Sequence, residues 1–217
     1  MKRCIIYTAY IEGNALDAYV PLADDFVLCA DGGYTHALAA NVKPDFVIGD
    51  GDSLFVDVPP ELMLRVPAEK DDTDTMLCVR RAIEEGCTEC IILGGIGGRL
   101  DHTLANIQTL AFAHEHGLSA KLCGPYDIVM LLGPGKLILD KRDGFSISLF
   151  CYTERCEGVC IEGVKYPLSN AVLTQAFPLG VSNAFFAPQA RISLRSGLLL
   201  VVLSQLEGAG KRQKQNI

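Results

Sequence analysis

Basic charge is scarce in this sequence: 19 Lys and Arg stand against 26 Asp and Glu, giving a formal charge of −7 over 217 residues. A nucleic-acid binder draws its affinity from a basic surface that releases phosphate counterions, so no nucleic-acid partner is expected. The one basic cluster, Lys211, Arg212 and Lys214, follows Gly208 and Gly210, and residues 208–217 are expected to form a flexible, solvated tail. Long apolar runs are missing too. Lys2-Arg3 is followed only by Cys4-Ile5-Ile6-Tyr7, too short for a signal core or a membrane span, so a cytoplasmic protein with no membrane partner is expected. The low-hydrophobicity composition of a disordered chain is also absent: 49% of residues are hydrophobic and 21% charged, and a chain this long folds around a core without disulfide staples. Nine cysteines, an odd number without a secretory signal, read as reduced and mostly buried thiols. The close spacings are Cys87 with Cys90 and Cys156 with Cys160; the first falls where a helix passes into an apolar strand, which speaks against a structural zinc site.

What the chain does contain is an alternation of short apolar runs and helical periods over its first 130 residues or so, the pattern of βαβ units. Strands are expected at 4–7, 26–30, 46–48, 90–93, 120–123 and 128–132, and helices at 73–85 and 101–116. In the first helix Met76, Leu77, Val79, Arg80 and Ile83 are expected to form the inward face; in the second, Leu104, Ile107, Leu110 and Ala111. After Gly133-Pro134-Gly135 the texture changes to short strand-like runs at 137–139, 146–150, 192–194 and 198–203, separated by turn residues. The expected fold is therefore α/β, a mainly parallel Rossmann-like sheet with helices on both faces over residues 1–133, followed by a smaller all-β sandwich over 136–207.

Four polar motifs stand out, three of them directly after expected strands. Gly49-Asp50-Gly51-Asp52-Ser53 combines a tight backbone bend with two carboxylates free to point at one centre, which suits magnesium. Glu69-Lys70-Asp71-Asp72-Thr73-Asp74 leads into a helix; capping explains one or two of these residues, but acids packed so closely favour a bound cation, and Lys70 suits a phosphate oxygen. Gly94-Gly95-Ile96-Gly97-Gly98-Arg99 leaves backbone amides open at a helix N-terminus and adds a guanidinium fork, though it matches neither the Walker nor the dinucleotide fingerprint. His102 just beyond is a candidate proton carrier or substrate contact. Asp31-Gly32-Gly33 is the fourth. In a parallel sheet, strand ends are gathered along one edge, where ligands bind.

Read in order, Asp31-Gly32-Gly33, Gly49-Asp50-Gly51-Asp52-Ser53, Lys70-Asp71-Asp72-Thr73-Asp74 and Gly98-Arg99-Leu100-Asp101-His102-Thr103-Leu104-Ala105-Asn106 resemble the signatures of the thiamin pyrophosphokinase family. The resemblance implies transfer of a pyrophosphoryl group from ATP to the hydroxyl of thiamin, with Mg2+, giving AMP and thiamin diphosphate. It also implies a homodimer whose active sites are shared between subunits. Asp50, Asp52, Asp71 and Asp74 would be the metal and catalytic acids, with Asp71 taking the hydroxyl proton. The nucleotide side would draw on Asp31, Gly32, Lys70, Thr73, Gly98, Arg99, Asp101 and His102. Ser182 and Asn183 correspond to the family's thiamin-contacting Ser-Asn segment. The chain departs from the family pattern at Gly51, often Phe, at Ala184, often acidic, and in having no tryptophan to stack on thiamin, which leaves Phe185, Phe186 or Tyr166 for that place. The alternatives are a diphosphokinase acting on a pterin alcohol and a non-catalytic nucleotide or thiamin sensor.

Overall fold

The structure, a computed structural model, describes residues 2–13, 19–51, 54, 56–66 and 71–206. The expectations for Asp52, Ser53, Lys70 and the 208–217 tail lie outside the described residues. The chain divides into two compact units, one reaching Pro125 and one beginning at Tyr126.

In the first unit the order is β1 (Arg3–Tyr7), β2 (Phe26–Ala30), α1 (Gly33–Ala39), β3 (Phe46–Gly49), β4 (Met63–Arg65), α2 (Asp74–Glu84), β5 (Glu89–Leu93), α3 (Leu100–Glu115) and β6 (Ser119–Cys123). The six strands are parallel, in the order β6-β5-β1-β2-β3-β4. Beyond Arg3 and Glu89 at the starts of β1 and β5 the central strands are apolar, and Ile5, Ile6, Leu28, Ile91, Ile92 and Leu93 are completely buried, as a sheet covered on both faces requires. Right-handed crossovers place α1, which joins β2 to β3, on one face and α3, which joins β5 to β6 in the opposite direction, on the other. Helix α2 packs against α3 and so shares its face.

The two expected helices form as α2 and α3, while α1 was not anticipated; the inward faces of α2 and α3 differ from expectation. Helix α2 buries Thr75, Cys78, Val79 and Ala82, a spacing of three, four and seven that marks one helical face. Of the expected inward residues only Val79 is buried, because small residues let the helix backbone approach the sheet and leave the bulkier ones at its flanks. In α3, Leu110 and Ala111 are buried as expected, whereas Leu104 is 55% exposed and the polar Asn106 and Thr109 face inward. Thr73 caps α2, its Oγ1 accepting from Met76 N at 3.2 Å. Thr73→Ala is expected to cost about 1 kcal/mol, read as a lower urea midpoint at an unchanged denaturant slope.

The second unit consists of β7 (Asp127–Leu132), β8 (Gly135–Asp140), β9 (Phe145–Cys151), β10 (Arg155–Glu162), β11 (Leu168–Thr174), β12 (Gly180–Ala184), β13 (Gln189–Leu194) and β14 (Leu199–Gln205). They form antiparallel sheets in the orders β12-β9-β14-β7 and β11-β10-β13-β8, the expected sandwich. Strand β7 was expected to close the parallel domain at residue 133. It pairs antiparallel with β14 instead, Met130 beside Val201, and the division between units falls before it. Strands β10, β11 and β12 were not anticipated, since their Glu, Ser, Asn and Gly residues read as turn chemistry. The cysteines are free; the Cys156 sulfur lies 2.9 Å from that of Cys151, and the Cys160 sulfur accepts from Asn170 N at 3.2 Å.

Candidate active site

Strand register sets the position of the site. Tyr7 stands beside Cys29 and Leu93, and Ala30 beside Ile48, so the residues that follow β1, β2, β3 and β5 emerge along one edge. The chain runs outward from β1 to β4 and returns as β5 on the other side of β1. Parallel α/β sheets take their ligands at such a reversal, and a cavity of about 360 Å³ opens here. Thr8 and Tyr10 enter it from the end of β1, Asp50 from the end of β3, and Thr73, Asp74 and Thr75 from the start of α2. Gly95 and Gly97 line it after β5, and Arg99, His102 and Asn106 at the start of α3.

Close packing rather than side-chain volume shapes the glycine loop. Gly94 has φ +80°, and a β-carbon there would overlap the Tyr10 carbonyl. At Gly95 it would meet the Asn106 amide, which donates to the Gly95 carbonyl at 2.9 Å. Thr8 Oγ1 sits 2.9 Å from the Leu93 carbonyl and 3.0 Å from that of Tyr10, tying the end of β1 to the end of β5. Thr103 Oγ1 accepts from Gly97 N at 3.2 Å and closes the last turn before α3. Thr8, Tyr10 and Asn106 thus build the cavity wall without having been candidates; only the Asn106 position carried a sequence signal, inside the motif that begins at Gly98.

Of the expected site residues, Asp50, Thr73, Asp74, Arg99 and His102 come together in this cavity. Asp74 occupies the first turn of α2, where the helix dipole favours its negative charge. Asp71 is exposed and does not line the cavity, and its neighbour Asp72 pairs with Arg80 at 2.7 Å. Asp101 turns to Arg99, which grips it through Nε at 3.2 Å and through a second nitrogen at 2.6 Å. That bond holds the Asp101 carboxyl below its ordinary range, while both side chains stay largely exposed. Gly98 lies under the Tyr10 ring, Asp31 stands beside Gly49 and Gly32 precedes α1, and neither Asp31 nor Gly32 lines the cavity.

Among the described residues no three His, Cys, Asp or Glu side chains converge as a complete metal cluster. Asp50 and Asp74 do provide two carboxylates with threonine oxygens beside them. That donor set fits Mg2+, which takes one or two carboxylates and fills its remaining positions with water and substrate phosphates.

In the second unit the bulge between Gly180 and Asn183 puts Ser182 in the left-handed region at φ +57° and turns it to solvent. Its amide is held by Ser148 Oγ at 3.0 Å. Asn183 is buried, with Oδ1 accepting from Tyr166 N at 3.0 Å and Nδ2 donating to Tyr166 O at 2.7 Å. Ser182 is therefore open to a ligand, whereas Asn183 holds the Tyr166 turn.

Fold and site together define a two-domain protein: an α/β sheet with an acidic, glycine-rich cavity at its switch point, followed by an antiparallel β sandwich. The chain belongs to the thiamin pyrophosphokinase family. Residues 22–122 match the family's catalytic domain and residues 136–199 its vitamin B1 binding domain. A thiamine pyrophosphokinase of Bacillus subtilis strain 168 is 29% identical over 181 residues, spanning 80% of this chain and 85% of that protein. A crystal structure of thiamine pyrophosphokinase from Bacillus subtilis superposes with a TM-score of 0.84 at 26% identity, covering 94% of this chain and 99% of the other. A thiamin pyrophosphokinase family protein from Enterococcus faecalis gives 0.78 at 27% identity over the same shares.

Proposed function

We propose that this protein is a thiamin pyrophosphokinase that moves the terminal pyrophosphoryl group of ATP to the hydroxyl of thiamin, yielding thiamin diphosphate and AMP. The observation that carries the reading is the convergence of Asp50, Asp74, Arg99, His102 and the glycine loop in one cavity at the sheet's switch point. The second domain, of the vitamin B1 binding type, supports thiamin as the acceptor.

Attack of the hydroxyl on the β-phosphorus spreads negative charge over the phosphate oxygens, so positioning and electrostatic stabilisation supply most of the acceleration. Mg2+ held by Asp50 and Asp74, with Asp52 as a further sequence candidate, would neutralise that charge. The glycine-loop amides expected to be open are engaged, Gly94 with the Cys123 carbonyl, Gly95 with that of Tyr10 and Gly97 with Thr103 Oγ1, so the polyphosphate falls to the Arg99 fork once it exchanges Asp101 for phosphate. The hydroxyl proton falls to a carboxylate of this cavity rather than to the exposed Asp71. Ser182 contacts the acceptor; Ser182→Ala is expected to raise the thiamin KM about three- to tenfold with kcat little changed.

A homodimer with shared sites is part of this proposal. It is supported by the exposed Tyr166, Phe177, Val181 and Phe186 on the second unit, the last 82% exposed. A cytoplasmic location fits the free thiols, and no helix among the described residues is long and apolar enough to cross a membrane. The acceptor is tested by supplying ATP and Mg2+ with either thiamin or a hydroxymethyl-pterin: product from thiamin alone is expected, and product from the pterin alone refutes the assignment.

A further inference from the structure

Asp31 was expected on the nucleotide side, yet it is 2% exposed and lines neither the main cavity nor the neighbouring groove, although Ala30 before it and Asp50 across from it reach the cavity. Its carbonyl accepts from Tyr34 N at 3.1 Å in the first turn of α1, and two further bonds run to the segment of the next strand. The Asp31 amide donates to the Ile48 carbonyl at 2.9 Å, and its Oδ1 accepts from the Gly51 amide at 3.1 Å. One residue therefore holds the chain on both sides of Asp50. It does so from the left-handed region, at φ +42°, a conformation that Asp tolerates better than most residues.

The glycine opposite completes the device. Gly49 has no positive φ to require it, but a β-carbon there would stand 2.7 Å from Asp31 Cβ and 2.8 Å from Oδ1. Gly49 is a glycine because the Asp31 side chain occupies the space beside it. Buried carboxylate and missing side chain form a matched pair, and between them they allow the Gly49-Asp50-Gly51 bend one path.

We infer that Asp31 is a positioning residue: its carboxylate clamps the bend after β3, so that Asp50 presents its own carboxylate to the polyphosphate site, and Asp31 contacts neither metal nor nucleotide. The inference rests on the proposed activity for its catalytic consequence, but the clamp itself belongs to the ligand-free protein.

The test compares Asp31→Asn with Asp31→Ala. The asparagine Oδ1 still accepts from Gly51, so Asp31→Asn is expected to keep kcat and the half-saturating Mg2+ concentration within about threefold. Asp31→Ala releases the bend; kcat is expected to fall about a hundredfold and half-saturating Mg2+ to rise about tenfold. In the ligand-free protein, Gly51 amide exchange is expected to be at least about tenfold faster in Asp31→Ala and unchanged in Asp31→Asn. A loss in Asp31→Asn as deep as in Asp31→Ala overturns the inference, since charge rather than placement would then be the contribution; so does unaltered Gly51 exchange in Asp31→Ala. If the alanine variant does not fold, the asparagine variant decides alone by the same activity and exchange criteria. A wild-type protein that makes no AMP from ATP and thiamin would refute the activity, while Gly51 exchange would still judge the clamp.

Discussion

Asp74→Asn is expected to lower kcat at least a thousandfold, about 4 kcal/mol of transition-state stabilisation, while leaving the fold in place. Asp74 lies in the cavity with Asp50, and the substitution keeps its size but removes the charge proposed to hold a cation against the polyphosphate. The structural cost is small. Thr73 still caps the helix, and an uncharged residue in the first turn forgoes about 0.3–1 kcal/mol of dipole interaction, a few degrees of Tm at most. Activity and Tm measured on the same sample separate the two effects. Near-normal turnover at saturating Mg2+ would remove Asp74 from the chemistry.

Gly94→Ala carries the largest expected effect on stability. The left-handed φ of +80° costs an alanine about 1–2 kcal/mol, and the β-carbon must displace the Tyr10 carbonyl as well as Ile11 and Thr8. Overpacking of that kind adds about 1–3 kcal/mol, so a loss of about 3–4 kcal/mol and a Tm lower by about 10 °C are expected, with the cavity wall displaced. Gly86 provides the control. Its φ of +71° is equally left-handed, but a β-carbon there meets nothing within 4 Å. Gly86→Ala should cost only the conformational part, about 1 kcal/mol. Equal losses at the two positions would mean that Tyr10 does not press on the glycine loop in solution.

The contrast between those glycines also shows what was legible before the fold was seen. Strand ends finishing in Gly and Asp were readable because a buried parallel strand is a continuous apolar run and a tight exit needs small or turn-forming residues. Asp50, Asp74 and Arg99 were therefore located by local pattern alone. Thr8 and Tyr10 were not, because what makes them part of the site is contact with Leu93 and Gly94, some 85 residues further along the chain. Asp31 was noticed, but it lines neither cavity: an acid after a strand looks the same whether it faces a ligand or packs against the next loop. Strand β7 shows the complementary limit. Ile128-Val129-Met130-Leu131-Leu132 reads as one more buried parallel strand, and only its partner β14 makes it antiparallel.

Transfer of the two terminal phosphates as one group is decided by the fate of the β-phosphorus. With ATP labelled at the β-phosphate, Mg2+ and thiamin, the label is expected to pass into thiamin diphosphate while unlabelled AMP accumulates in equal amount. Label recovered in ADP, with thiamin monophosphate as the other product, would contradict it.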